Sequence, residues 1–195
     1  MSFNAIVLLV VTITIFQVGL VVQSEDDEQA STQASSARLM KEFRQFHKSD
    51  SYKNGIFTVE LVDDNIYEWN VKLKKVDPDS ELHKDFKKWK KITGLDHIML
   101  RVSYKHTYPS TPPYVRVVYP MIEGEGMLSY GTFCHELLTP SGWSASYTIE
   151  PLILHIAAAL TENKRIIPNK IGQSYDIEKI DQETHLLNLK RLHGW

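Results

Sequence analysis

One thiol is available to this 195-residue chain. Cys134 is its only cysteine. It follows a glycine-bearing stretch (Gly124, Gly126, Gly131) and precedes His135-Glu136-Leu137-Leu138. A thiol on an irregular segment is better placed for nucleophilic chemistry than one inside a strand. The chemistry open to it is covalent: attack on a carbonyl, an acyl intermediate on sulfur, and transfer of the acyl group onward. A lone cysteine is more often a small buried hydrophobe, so its surroundings must decide.

Upstream lies Tyr108-Pro109-Ser110-Thr111-Pro112-Pro113, leading into the apolar run Tyr114-Val115-Arg116-Val117-Val118-Tyr119. Three prolines fix φ and remove three donors, which confines the segment to a sheet edge. Downstream lie Gly142-Trp143-Ser144 and a helix start near Thr148. Other chemistries are narrowed by composition. One cysteine excludes an internal disulfide framework and a cysteine-based zinc site. The eight histidines are scattered, without a metal-ligand pair at convincing spacing. The sequence shows no phosphate-binding glycine loop and no repeat, so neither metal nor cofactor is expected. A net charge of -2 gives no bulk electrostatic reason for a nucleic-acid partner.

The elements that must hold this stretch begin with an apolar run over residues 5–22. Residues 1–24 fit a cleavable signal, with small residues near the cleavage position, or a short membrane anchor. A third reading starts translation later, for example at Met40. Residues 25–36, acidic and then Ser/Gln/Ala-rich, have the composition of a disordered linker, with Ser35 or Ser36 capping the next helix. One domain over 37–195 follows. Its first helix (37–48) buries Leu39, Phe43 and Phe46 and carries a basic stripe of Arg38, Lys41, Arg44 and Lys48.

Period-two alternation marks strands around Phe57, Val59 and Leu61; Tyr67, Trp69, Val71 and Leu73; Ile98, Leu100 and Val102; and Val115 and Val117. Short connections make these a consecutive antiparallel meander. The 77–96 insertion carries Leu82, Phe86 and Trp89 among lysines, as a short basic helix or an irregular segment. Ile149, Leu152, Ile153, Ile156 and Leu160 mark a helix buried on one face. Residues 164–173 form a connector, and Ser174 opens a final helix to about Leu192, with Gly194 as its C-cap. The class is α/β (α+β): N-terminal helix, four-stranded meander, active-site loop, C-terminal helices.

This order of parts resembles the ubiquitin-conjugating enzyme family. Tyr108-Pro109, Pro112-Pro113, Cys134, Leu137-Leu138 and Trp143-Ser144 carry the resemblance. Cys134-His135-Glu136-Leu137-Leu138-Thr139 and Tyr67-Glu68-Trp69-Asn70-Val71-Lys72-Leu73 are similar to the divergent Q-type subgroup. The resemblance covers residues 38–195 and implies a UBC fold. It implies that Cys134 accepts ubiquitin as a thioester from the activating enzyme and passes it to a protein substrate, with or without a ligase. It implies docking of the activating enzyme at Arg38, Lys41 and Arg44, and a ligase rim at Tyr108, Pro109 and Ser144. The catalytic domain is then cytoplasmic or nuclear, membrane-anchored if residues 5–22 span a bilayer; secretion is the alternative.

The chain departs from the family where most members carry His-Pro-Asn. It has Glu123-Gly124-Glu125 there, and no asparagine between Asn70 and Asn163. The Q-type subgroup lacks the motif too. Substitute donors for an oxyanion are Ser129, Tyr130 and backbone N–H groups of the glycine loop. The terminal His193-Gly194-Trp195 is similar to a subgroup segment that implies catalytic roles for His193 and Trp195; the structural alternative is a helix cap and a packing residue. A non-catalytic binding module on the same fold is the rival to the enzyme.

Overall fold

The computed structural model describes residues 29–127 and 129–175. Four strands, β1 (Phe57–Val62), β2 (Asn65–Leu73), β3 (Ile98–Ser103) and β4 (Tyr114–Tyr119), pair antiparallel in chain order. The register sets Val59 opposite Val71, Val71 opposite Leu100, and Leu100 opposite Val117. This apolar row is buried. Side chains alternate along a strand, so the other face is polar. There Arg101 Nε donates to Asn70 Oδ1 (2.9 Å) and Ser103 Oγ to Glu68 Oε2 (2.8 Å). Between β1 and β2 both turn residues, Asp63 and Asp64, have positive φ (50° and 57°), as a two-residue hairpin requires.

The first helix, α1, covers residues 29–46. The linker expected at 25–36 is therefore helical from 29 onward, and Ser35 and Ser36 lie inside the helix rather than capping it. Tertiary contacts explain this where composition could not. Ser35 is buried, Ser36 Oγ lies 2.6 Å from the Tyr67 hydroxyl, and that hydroxyl reaches the Thr32 carbonyl (2.9 Å). Packing, more than propensity, supplies most helix stability in proteins. A start at Met40 would remove these contacts and fully buried Leu39.

After a single turn, α2 (Asp50–Lys53), the insertion forms a full helix, α3 (Glu81–Thr93). Ser80 caps it, accepting from the His83 N–H (3.1 Å), and Gly94 closes it in the left-handed region (φ 75°). Leu82, Phe86 and Trp89 face inward. Past the cysteine, α4 (Ile149–Thr161) buries Leu152, Ile153, Ile156 and Leu160.

The expected connector at 164–173 needs correction. Its first residues form β6 (Lys164–Ile166), antiparallel to β5 (Ile122–Gly124). Three residues are too few for alternation to show in a sequence. The expected final helix, His193, Trp195 and the 1–24 segment lie outside the described residues. Among the described residues no helix is long and apolar enough to cross a membrane.

Candidate active site

Between β5 and α4 the chain leaves the sheet and is pinned back to it. Isolated bridges join Thr132 to Arg116 and Phe133 to Met127. Phe133 is buried, while Cys134 beside it is half-buried. The Cys134 N–H donates to the Gly126 carbonyl (2.8 Å). A Cβ at Gly126 would stand 3.1 Å from the Cys134 carbonyl oxygen, and Gly126 has φ +75°, so glycine suits both the close approach and the backbone. After the cysteine, His135 caps a 3-10 turn (Glu136–Leu138): its Nδ1 accepts from the Leu137 N–H (3.2 Å). The thiol is thus held between a buried ring and a capped turn.

It opens on a cleft of about 510 Å³. Glu125 and Gly126 line one side, and His155, Asn163 and Lys164, from α4 and β6, line another. Burial pushes the Cys134 thiol above its ordinary pKa; the sulfur is a neutral thiol at rest, not a pre-formed thiolate. Burial, with His155 as a smaller contributor, depresses His135. His135 Nε2 lies 3.1 Å from His155 Nε2. Since Nδ1 of His135 is an acceptor, the neutral ring holds its proton on Nε2 and donates it to His155, which keeps its own on Nδ1.

Lys164 is buried with its ammonium turned to the end of α4. Nζ donates to the carbonyls of Ala159 (2.6 Å) and Glu162 (3.1 Å) and stands 5.5 Å from the centroid of the Phe133 ring. Burial lowers its pKa. A cation at a helix C-terminus complements the dipole there.

The expected partner-binding residues divide. Lys41 and Arg44 are exposed on α1, whereas Arg38 is turned inward, its Nε on Glu42 (2.5 Å) and its Nη2 on the Tyr147 carbonyl (2.9 Å). Tyr108 is not a rim residue: it is 2% exposed and donates its hydroxyl to Glu42 Oε1 (2.7 Å). Pro109, half-buried, accepts from Trp143 Nε1 (2.8 Å), and Ser144, also half-buried, lies 2.8 Å from Ser146 Oγ. Among the expected oxyanion donors, Tyr130 is exposed on the turn Ser129–Gly131 and is not among the residues lining the cleft.

Glu42 was not anticipated. Its Oε2 accepts from the Ile149 N–H (2.7 Å), the first residue of α4, where Thr148 makes no side-chain cap. The one available signal was position. Glu42 is three residues from Leu39 and four from Phe46, on the face the helix buries.

No family model matches the chain. It is 43% identical over 167 residues to ubiquitin-conjugating enzyme E2 Q1 of Homo sapiens, which covers 85% of this chain and 39% of that protein. It is 37% identical over 142 residues to the Q-like ubiquitin-conjugating enzyme E2 protein 1 of Homo sapiens, covering 71% of this chain and 86% of that one. The chain belongs to the ubiquitin-conjugating enzyme family, in its Q-type branch. It spans well under half of some relatives: 39% of E2 Q1 and 42% of ubiquitin-conjugating enzyme E2 25 of Caenorhabditis elegans. Among solved structures, human ubiquitin-conjugating enzyme E2 G1 superposes with a TM-score of 0.51 at 17% identity, over 66% of this chain and 95% of that one. That likeness bears on the fold alone: the four-stranded meander and its flanking helices are those of ubiquitin-conjugating enzymes.

Proposed function

We propose that this chain conjugates ubiquitin through a thioester on Cys134. The observation that carries the reading is the placement of the only thiol: half-buried, at an open cleft, within this family's fold. The sulfur attacks the activated carboxyl carbon of ubiquitin on the activating enzyme. The old C–S bond breaks as the new one forms, and the leaving sulfur takes up the proton that Cys134 gives up. Exchange between two thioesters is nearly balanced, so a thiol with a raised pKa serves. The carbonyl then passes to an acceptor, either a substrate group or a ligase. Exposed Lys41 and Arg44 offer charge to the activating enzyme, and Pro109 and Ser144 flank the segment offered to ligases. Partners of this kind put the work in the cytoplasm or nucleus.

The test is a charging assay with activating enzyme, ubiquitin and ATP. The expected product runs one ubiquitin heavier, disappears with reductant, and is absent from Cys134→Ala. A folded chain that forms no such adduct is a non-catalytic module.

A further inference from the structure

Transfer from Cys134 to an acceptor passes through a tetrahedral intermediate with negative charge on its oxygen, which a preorganised N–H donor stabilises. The geometry points to the side-chain amide of Asn163 as that donor. This rests on Cys134 carrying the thioester.

Elimination among the cleft's side chains favours Asn163. Lys164 Nζ is engaged with two carbonyls at the end of α4. His135 gives its only N–H to His155, whose own N–H is then on the ring nitrogen away from that contact. As carboxylates, Glu125 and Glu162 can only accept. Asn163 is exposed at the cleft, and its amide makes no hydrogen bond among the described residues. The chain has neither asparagine nor glutamine anywhere from residue 71 to 162, so the cleft has no other amide side chain.

Placement agrees. Asn163 has φ 52°, in the left-handed region, between α4 and β6. Its carbonyl packs on Gly124, where a Cβ would stand 2.5 Å from that oxygen. Two residues on, Gly126 receives the Cys134 N–H. The span 124–126 therefore touches Asn163 at one end and Cys134 at the other, across at most about 7 Å of chain. A nitrogen acceptor attacks the thioester carbonyl carbon, the π pair moves to oxygen beside Asn163 Nδ2–H, and the acceptor loses a proton to water. Collapse reforms the carbonyl, breaks C–S and releases the Cys134 thiolate, which water reprotonates.

Asparagine also tolerates left-handed φ better than most residues, so its backbone and amide roles must be separated. Asn163→Gly keeps the conformation and removes the amide; Asn163→Asp keeps the shape and removes the donor. Each full-length variant is charged with ubiquitin, quenched and chased with free lysine in a single turnover, with thermal melting in parallel. Both variants are expected to melt as wild type does, to charge to the wild-type end point, and to discharge on the order of 100-fold more slowly, the scale of losing one oxyanion donor. Discharge of Asn163→Gly at the wild-type rate overturns the assignment. If wild type itself never charges, the thioester reading fails first and takes this assignment with it.

Discussion

At its N-terminus α4 ends in a buried knot; at its C-terminus it ends beside an open cleft. In the knot the Glu42 carboxylate takes the Ile149 N–H on one oxygen, and the Tyr108 hydroxyl and Arg38 Nε on the other. At the far end Lys164 caps the last carbonyls. The charges suit the helix dipole at both ends, anion first and cation last. What differs is satisfaction. Around Glu42 the polar groups meet protein partners, whereas past Lys164 the amide of Asn163 and the carboxylates of Glu125 and Glu162 face solvent. Buried polar groups must be paired or they cost stability; groups on an open wall are free to meet a substrate. The first end holds the fold, and the second is available for reaction.

Breaking the knot should have the largest effect. Glu42→Ala leaves the Ile149 N–H and the Tyr108 hydroxyl buried without acceptors and Arg38 without its carboxylate. A loss of about 3–5 kcal/mol is expected, read from the urea midpoint at constant m-value. A loss under about 1 kcal/mol, the scale of a surface pair, would make the knot no stronger than one. Lys164→Met tests the other end. It removes two bonds to carbonyls that water can partly replace, so about 1–3 kcal/mol is expected. Ubiquitin charging by the folded variant should stay at the wild-type level, since Lys164 does not act on the sulfur. Charging that failed in a variant that melts normally would erase the contrast between the ends.

The third effect is the smallest and is one of pH. Burial depresses the folded pKa of His135, so the fold favours its neutral ring. The corresponding stability is present above the unfolded value, about 6.5, and is lost as pH falls through the lower folded value. The melting temperature of wild type should therefore drop between pH 7 and pH 5, and His135→Asn should drop less. Equal slopes would sever the His135–His155 pair from the fold's pH response.

Much of the frame was legible because it repeats. Tyr67, Trp69, Val71 and Leu73 alternate long enough to declare a strand, and Leu82, Phe86 and Trp89 keep a helical interval. The reactive thiol was legible because it is single. Illegible were features made by contacts between distant residues. Glu42 meets Ile149 across 107 positions, and no local pattern encodes that. Tyr108 was expected at a rim because of the proline beside it, yet a tyrosine ring gains more from burial once its hydroxyl has an acceptor. Three-residue β5 and β6 carry no readable period, so the approach of Asn163 to Gly124 was hidden with them.

His155 lines two recesses. One is the cysteine cleft; the other is a groove of about 450 Å³ with Leu137, Trp143, Tyr147 and Leu152 on its walls. The partition between them is one imidazole thick, and that imidazole is held to its neighbour by a single hydrogen bond. For inhibitor chemistry this gives a route. A covalent warhead anchored on Cys134 needs strong electrophilicity, because the thiol is not acidified, and a tail grown from it past His155 enters an apolar slot. Potency would come from the sulfur and selectivity from the slot, with the ring between them as the hinge of the design.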